Sequence, residues 1–296
     1  VPSLEVLHNH PYIEITSVVS MPDRKQGRGM ELRSPEVIEF AKKNRISFFQ
    51  TENINKESEF LKTLKESDLF IVLAFAQFLS DELLNIPKSG CFNIHTSLLP
   101  KYRGAAPIQY ALLNGDDSTG VSIQKMVKKM DAGDIAFDLP VSISKSETGG
   151  QLYTRLKYYA GVALNDFIYQ VIENKIDYRK QNEEEVSFAP TLKREDGYLD
   201  FKNENFETIK NKVRALFPWP GTFCYLNKKR LKVFNIEESQ FKLSPGLVET
   251  KYNQLIIGCR DKSLRITSLQ LEGKKACEDT ELLNGIKDNV IINDKE

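Results

Sequence analysis

Short apolar runs alternate with segments of helical spacing over the first 175 residues of the chain. The apolar runs indicate buried strands at Ile13–Val19, Asp68–Ala74, Cys91–Ile94, Gly120–Met126 and Asp134–Ile143. Between them, apolar positions recur with a period that predicts helices over Ser34–Asn44, Glu59–Lys65, Ser80–Leu84, Gly104–Leu113 and Gln151–Asn174. Continuous apolar strands that alternate with helices are typical of the α/β class. We therefore predict a Rossmann-like, mostly parallel sheet with helices on both faces.

The pattern changes after Asn174. Residues 176–198 are polar, highly charged and without periodicity, so they are predicted to form a linker. A helix is predicted over Asn205–Leu216, and strands are then predicted at Thr222–Leu226, Arg230–Asn235, Gly246–Glu249, Gln254–Cys259 and Ser263–Leu271. Short strands at this spacing favour a small, OB-like β-barrel. The chain is thus divided into an α/β domain at 1–175, a linker at 176–198 and a C-terminal barrel domain at 199–296.

Composition excludes several classes of protein. There are 41 Lys and Arg residues and 41 Asp and Glu residues, so the formal net charge is zero. The longest largely apolar run, Leu69–Phe78, is far shorter than the roughly 20 residues that a membrane helix needs. Four cysteines without CxxC spacing argue against a zinc site or a disulfide framework, and they favour a reducing, cytoplasmic compartment. We therefore expect neither a metal nor a membrane partner.

Two local features add to this picture. The chain begins at Val1 and enters a helical pattern at once, whereas an α/β domain normally begins with a strand. We expect the first strand to precede Val1, where any targeting peptide would also lie. Between Thr208 and Lys275, 14 basic residues stand against 5 acidic ones. This excess suits the binding of a phosphate backbone, and a lysine-rich solvated surface is the alternative.

Candidate chemistry is concentrated at the end of one predicted strand. Asn93 and His95 are two residues apart in an extended segment, so their side chains leave the same face at the edge where parallel sheets bind ligands. A carboxamide beside an imidazole suits a reaction in which a carbonyl becomes an oxyanion. Downstream, Asp131 lies in a turn that Gly133 allows to be tight, and its carboxylate would favour a protonated His95. A structural asparagine, a half-buried histidine and an ordinary turn aspartate are the alternatives.

Longer motifs surround these residues. Asn93-Ile94-His95 is followed by SLLPKYRGAAPIQ, and MDAGDI lies downstream. Together they resemble the formyltransferase family that uses 10-formyltetrahydrofolate. The resemblance implies that Asn93, His95 and Asp131 form a catalytic trio. It also implies that the folate cosubstrate lies against Ser97, Leu98, Leu99 and Pro100. The residues at the end of the neighbouring strand are expected to line the pterin slot with backbone groups, and they are Ala74, Phe75, Ala76, Gln77 and Phe78.

Other segments resemble the members of this family that formylate methionyl-tRNA. They are PDRKQGRG, beginning at Pro22, FPWPG, beginning at Phe217, and LQLEGKK, beginning at Leu269, so the resemblance spans nearly the whole chain. It implies that initiator methionyl-tRNA is the acceptor. The residues expected to contact the tRNA are Arg24, Arg28, Lys228, Lys229 and Arg230. We expect a monomer, because no segment is typical of a dimer interface.

Two other functions are compatible with parts of this sequence. A formyltransferase that acts on an amino-sugar nucleotide would share the core motifs, but it is not expected to carry the basic GRG loop around Arg28. A non-enzymatic RNA-binding module would explain the basic C-terminal segment. It leaves the set of Asn93, His95 and Asp131 without a role, and an assay of formyl transfer separates it from both enzymes.

Overall fold

The computed structural model describes residues 1–26, 29–286 and 290–292. Its α-helices are α1 Pro2–Asn9, α2 Glu36–Lys43, α3 Ser58–Thr63, α4 Asp81–Leu84, α5 Pro107–Leu113, α6 Gly149–Ile172, α7 Phe206–Ala215 and α8 Asp279–Asn284. Its strands are β1 Val18–Ser20, β2 Arg24–Gln26, β3 Glu31–Arg33, β4 Phe48–Gln50, β5 Leu69–Val72, β6 Gly90–His95, β7 Arg103–Gly104, β8 Ser118–Lys125, β9 Ile135–Ser142, β10 Phe188–Ala189, β11 Thr222–Leu226, β12 Lys229–Ser239, β13 Val248–Lys251, β14 Gln254–Gly258, β15 Ser263–Leu271 and β16 Cys277–Glu278.

The chain forms two compact units. The first consists of residues 1–104, 119–142 and 154–188, and the second of residues 105–118, 143–153 and 189–296. In the part of the chain that the structure describes, no helix is long and apolar enough to cross a membrane. The division into 1–175, 176–198 and 199–296 stays a prediction.

The first unit has the α/β architecture expected from the sequence. Strands β1 and β4 form a parallel pair, and a four-stranded sheet has the order β5-β6-β8-β9. Strand β6 runs parallel to β5 and antiparallel to β8. The predicted strand at Ile13–Val19 is shorter in the structure, where only Val18–Ser20 pairs with a neighbour. The Rossmann-like class is confirmed, with the parallel pairs β1–β4 and β5–β6, an antiparallel pair β6–β8 and the β8–β9 hairpin.

Helix α6 covers this sheet, as its apolar period predicts. Leu156, Ala160, Leu164 and Phe167 recur three or four positions apart, so they lie on one face, and all four are fully buried. The ring of Phe167 packs 4.8 Å from that of Phe92 on β6, measured between centroids. This contact packs α6 against one face of β6, the strand that ends at His95.

The strands β5 and β6 end at the same edge of the sheet. Val72, the last residue of β5, lies beside Asn93, and β6 continues for two further residues to His95. Across the antiparallel pair, Asn93 faces Gln124 and His95 faces Ser122. The register therefore gathers three polar side chains and an imidazole at the carboxyl end of the parallel strands, the usual position of a ligand site.

The turn between β8 and β9 requires a glycine. A Cβ atom at Gly133 would lie 1.7 Å from the carbonyl oxygen of Lys125, so no other residue fits without a backbone shift. The amide of Lys125 donates to the carbonyl of Asp134 at 2.9 Å and closes the hairpin. This close approach brings Asp131 back toward the end of β6.

The second unit is rich in antiparallel strands. Helix α7 begins where the side chain of Asn205 accepts from the amide of Thr208 at 2.8 Å. Five strands follow in the order β11-β12-β15-β14-β13, and β16 pairs with β15. A β-bulge on β12 between Val233 and Asn235 bends the long strand. The β-rich character predicted for the C-terminal part is confirmed, whereas the pairings among the described residues show no closed sheet, so the OB-like β-barrel stays a prediction.

The segment 176–198 is more ordered than its composition predicts. Arg179 exchanges two backbone hydrogen bonds with Ile135, at 2.8 and 2.9 Å. The segment also contains short 3-10 turns at Glu183–Glu185 and Arg194–Gly197. The sequence pattern does not indicate this order, because the segment is polar and its contacts are made with other polar groups rather than with an apolar core.

Candidate active site

His95 is buried at the end of β6, with 6% of its surface exposed. Its Nε2 atom lies 2.9 Å from the carbonyl oxygen of Tyr102, whose positive φ of 63° turns that carbonyl toward the ring. A carbonyl oxygen can only accept, so Nε2 carries a proton in this arrangement. The other ring nitrogen, Nδ1, lies 3.7 Å from Oδ2 of Asp131. The imidazole is therefore held in one orientation between a backbone carbonyl and a carboxylate.

Asp131 is the centre of a hydrogen-bond network. Its Oδ1 atom accepts from Nε2 of Gln124 at 2.8 Å and from Nδ2 of Asn93 at 3.4 Å. Its Oδ2 atom accepts from the amide of Gly104 at 2.9 Å. Both oxygens face N–H donors, the arrangement that suits an ionised carboxylate, which only accepts. Asp131 adopts a positive φ of 49°, so the turn presents its side chain in an uncommon backbone conformation.

The structure thus brings together the three residues singled out from the sequence. Asn93 and His95 leave β6 on the same face and both approach the carboxylate of Asp131. Asn93 is partly exposed and has a second N–H on its amide nitrogen. Residue spacing placed Asn93 and His95 on one face, and the family resemblance implied Asp131 as the third member, while the hydrogen-bond partners of the cluster came only with the structure.

Sequence reasoning missed four residues that hold this cluster. Gln124 and Gln181 bind the Asp131 turn, and Gln181 in turn accepts two hydrogen bonds from Arg103, at 3.0 and 2.8 Å. Glu183 pairs with the same guanidinium. The one available signal was Gln124, an amide within an apolar strand, since a buried polar side chain needs partners. Gln181 and Glu183 lie in the predicted linker and gave no signal.

Arg103 is an almost fully buried cation, with 2% of its surface exposed. Its Nη2 atom lies 2.8 Å from Glu183, and Lys129 approaches the other oxygen of that carboxylate at 2.9 Å. Hydrogen bonds from Arg103 and then from Lys129 lower the pKa of Glu183 to about 2. The carboxylate is therefore ionised at neutral pH and compensates the buried guanidinium.

Comparisons with known proteins decide the family. The model of the formyl transferase family matches residues 4–168, and that of the formyl transferase C-terminal domain matches residues 191–287. The chain belongs to the formyl transferase family. A methionyl-tRNA formyltransferase from Caldanaerobacter subterraneus subsp. tengcongensis is 35% identical over 96% of this chain and 93% of its own length. One from Halothermothrix orenii is 38% identical over 93% and 90%.

Solved structures show the same fold in this formyl transferase. The sugar 3N-formyl transferase WlaRD has a TM-score of 0.66 at 23% identity, over 93% of this chain and 94% of its own. The N-formyltransferase from Helicobacter canadensis has a TM-score of 0.67 at 22% identity, over 89% and 93%. At these identities the likeness concerns the fold alone.

The SLLP segment of this formyl transferase is a rigid turn that caps β6. Ser97 is buried and donates to the carbonyl of Lys101 at 2.6 Å, and the amide of Leu99 donates to Oγ of Ser122 at 3.0 Å. Leu99 is buried, whereas Leu98 and Pro100 are partly exposed. Only these last two side chains offer surface to a ligand, so the predicted cosubstrate contacts of Ser97 and Leu99 would be through the backbone.

In the loop after β5, as in the SLLP segment, some residues hold the backbone in place and others are exposed to a ligand. Gln77 accepts from the amide of Ile54 and donates to the carbonyl of Thr51, both at 2.8 Å, so its side chain holds the loop in place. Phe75 packs against the core, and Phe78 is 62% exposed. Ala74 and Ala76 are exposed and have positive φ values of 51° and 57°. The loop therefore offers backbone groups and one aromatic ring at the edge where β5 ends.

The basic residues predicted to contact tRNA lie in two places. Arg24 lies on β2, whose partner β3 returns antiparallel, and Arg28 lies outside the described residues. Lys228 and Lys229 are exposed at the turn between β11 and β12. Arg230 differs from these lysines, because its guanidinium carbon lies 3.7 Å from the centre of the Phe223 ring.

No group of three or more His, Cys, Asp or Glu side chains that could hold a metal ion occurs among the described residues. Near the end of β6, the carboxylate of Asp131 is instead held by N–H donors, and the guanidinium of Arg103 by Gln181 and Glu183. What this arrangement offers chemically is a fixed carboxylate, a protonated ring nitrogen and an amide donor.

Proposed function

We propose that this formyl transferase moves the formyl group of 10-formyltetrahydrofolate to the free amine of initiator methionyl-tRNA. The products are N-formylmethionyl-tRNA and tetrahydrofolate. The observation that carries the proposal is the assembly of Asn93, His95 and Asp131 at the carboxyl edge of the sheet. Relatives named methionyl-tRNA formyltransferase, which match more than nine-tenths of the chain, support this acceptor over a sugar nucleotide.

The reaction requires donors at the formyl oxygen. A bond forms between the uncharged amine and the formyl carbon, and the carbonyl oxygen becomes an oxyanion before the bond from that carbon to N10 of the folate breaks. The second N–H of Asn93, whose side chain is partly exposed, is one such donor. His95 supplies a second donor when the oxyanion replaces the carbonyl of Tyr102 at Nε2. Removal of one such donor costs about 3 kcal/mol in other enzymes.

Proton transfer falls to Asp131 and His95. The attacking amine must lose one proton, and N10 of the folate must gain one before it leaves as a neutral amine. Oδ2 of Asp131 lies 3.7 Å from Nδ1 of His95, and this carboxylate accepts the amine proton directly or through one water. The pair then returns the proton to N10, so no proton is left over at the end of the cycle.

The folate has a matching surface at this edge. Phe78, Leu98 and Pro100 offer apolar contact, and exposed backbone groups at Ala74 and Ala76 suit the hydrogen-bonding edge of a pterin ring. When bound, 10-formyltetrahydrofolate supplies an activated formyl carbon. These side chains bind and orient it, and Ser97, Leu99, Phe75 and Gln77 hold the two loops in place.

The acceptor would lie against the basic residues named from the sequence, Arg24, Arg28, Lys228, Lys229 and Arg230. Their positive charge favours binding of a phosphate backbone, and the lysines at the β11–β12 turn are exposed to solvent. The proposal also includes a cytoplasmic location and a monomeric enzyme. A mass measurement in solution checks the second of these.

The direct test is formyl transfer to charged initiator tRNA by the parent protein and by His95→Ala and Asn93→Ala. We expect both variants to fold and to lose most of their turnover. His8→Ala is the matched control, because His8 is an exposed histidine of the same unit. Formylation by His95→Ala at close to the parent rate would refute the mechanism, and a parent protein without formyl transfer would refute the function.

A further inference from the structure

We propose that Gln181 is a positioning residue for the catalytic carboxylate, and that the buried Arg103 fixes the orientation of its amide. This inference rests on the proposed function, because it assigns Asp131 a part in formyl transfer. Gln181 lies outside the NIH and MDAGD motifs, in the segment that the sequence predicted to be a linker. Its contacts, rather than its place in the chain, carry the inference.

The amide of Gln181 binds the turn that presents Asp131. Its Nε2 atom donates to the carbonyl of Asp131 at 2.9 Å and to the carbonyl of Gly133 at 2.7 Å. These carbonyls lie on either side of Ala132, so one NH2 group bridges the apex of the turn. Because Asp131 has a positive φ, its conformation persists only where surrounding contacts enforce it. The two hydrogen bonds from Gln181 are such contacts.

Arg103 determines which way this amide points. Its Nε and Nη2 atoms lie 3.0 and 2.8 Å from Oε1 of Gln181, and a guanidinium can only donate. The oxygen of the amide must therefore face Arg103, and the NH2 group must face the turn. The reverse orientation would place N–H groups against N–H groups and carbonyl against carbonyl. A buried, paired guanidinium thus selects the one amide orientation that can hold Asp131.

A second glutamine, Gln124, binds the same turn. Nε2 of Gln124 donates to Asp131 Oδ1 at 2.8 Å, and its Oε1 accepts from the amide of Gly133 at 3.2 Å. Gln181 also approaches this oxygen, at 3.4 Å. Gln181 therefore binds the backbone of the turn, and Gln124 binds both its backbone and the carboxylate of Asp131. Loss of the Gln181 donors frees the backbone on one side and lets the carboxylate move away from His95.

Gln181→Glu is the sharpest test of this role. It keeps the size of the side chain and the acceptor for Arg103, but it replaces both N–H donors with an oxygen that faces two carbonyls. Gln181→Met has a similar length and removes both the donors to the turn and the acceptor for Arg103, without adding repulsion at the two carbonyls. Gln151→Glu is the matched control, because it makes the same change at an exposed site. For each variant, kcat, the KM for folate, the KM for methionyl-tRNA and the urea unfolding curve are measured.

We expect both Gln181 variants to lower kcat by about 100-fold, the order of effect that a misplacement of about 1 Å produces. Both KM values should stay within twofold of the parent values, because Gln181 does not touch the surfaces assigned to either substrate. Cooperative unfolding should be retained. The Gln151→Glu control should behave as the parent protein does.

Three results would overturn the proposal. The first is a kcat within twofold of the parent value in either folded variant of Gln181. The second is a loss that falls on KM rather than on kcat, which would make Gln181 part of a binding surface. The third is that neither variant unfolds cooperatively, which would make its role structural. A parent protein without formyl transfer would refute the proposed function instead, and that result is obtained before any variant is measured.

Discussion

Asp131→Asn perturbs the candidate site with the smallest change in volume. One carboxylate oxygen becomes an NH2 group, while the donors from Asn93, Gln124 and Gly104 stay where they are. The remaining oxygen can serve either the Gln124 side or the Gly104 side, and the new NH2 group then faces another donor. At least one charge-assisted hydrogen bond is lost, which costs about 1.5–3 kcal/mol. The free energy of unfolding should fall by about that amount.

Activity should fall much further than stability. Without the carboxylate, His95 loses the charged partner at Nδ1, and the amine proton has no acceptor of comparable strength. Removal of a positioned acid–base group lowers a rate by about 10²–10⁴-fold, so we expect kcat to fall within that range. Single-turnover formylation of methionyl-tRNA measures the chemical step, and urea unfolding followed by circular dichroism measures the stability.

Asp177→Asn provides the control, because Asp177 is an exposed aspartate of the same unit. It should leave both the single-turnover rate and the unfolding midpoint unchanged. If Asp131→Asn turns over within fivefold of the parent protein, the carboxylate has no part in proton transfer, and the reasoning from its hydrogen bonds is wrong. A loss of activity without any loss of stability would contradict the assigned hydrogen bonds alone.

Three further predictions follow from particular contacts. Gly133→Ala should lower the free energy of unfolding by about 1–3 kcal/mol, because the added Cβ would lie 1.7 Å from the carbonyl oxygen of Lys125. Gly285→Ala should be neutral in the same unfolding assay, because its Cβ would lie 3.5 Å from the nearest atom, the carbonyl oxygen of Leu282. Arg103 and Lys129 lower the pKa of Glu183 to about 2, so its carboxylate stabilises the fold fully above about pH 4.5, and this stabilisation is lost as the pH falls toward 2. The thermal midpoints of Glu183→Gln and the parent protein should therefore differ at pH 7 and converge as the pH falls from about 4.5 toward 2. Lys228→Ala combined with Lys229→Ala should weaken tRNA binding and reduce the slope of log affinity against log salt by about 1–2, and an unchanged slope would show that these lysines contact no phosphate.

The sequence was most informative where the candidate catalytic residues lie in an element with a regular pattern of apolar and polar positions. The period of two residues in a strand placed Asn93 and His95 on one face, and the alternation of strands and helices indicated an edge where ligands bind. The tight turn at Gly133 was readable for the same kind of reason, since glycine permits a close backbone approach. These inferences need only local geometry, which a sequence pattern carries.

Contacts between distant polar residues were not readable in this way. Gln181 meets Asp131 across 50 positions of the chain, and Arg103 meets Glu183 across 80. Neither pair leaves a periodic trace in the sequence, because Asp131 and Gln181 lie in a turn and a loop, and Arg103 and Glu183 lie in elements of two and three residues, which are too short to show a period. For the same reason, the pattern assigned 176–198 to a linker, although its backbone and side chains contribute to the site.

The most direct test of the account compares three acceptors with the same enzyme and the same 10-formyltetrahydrofolate. They are charged initiator methionyl-tRNA, charged elongator methionyl-tRNA and an amino-sugar nucleotide, and the quantity measured is kcat/KM for formyl transfer. We expect the initiator tRNA to be the best acceptor, the elongator tRNA to be weaker, and the sugar nucleotide to give no formylated product. Preferential formylation of the sugar nucleotide would contradict the proposed function.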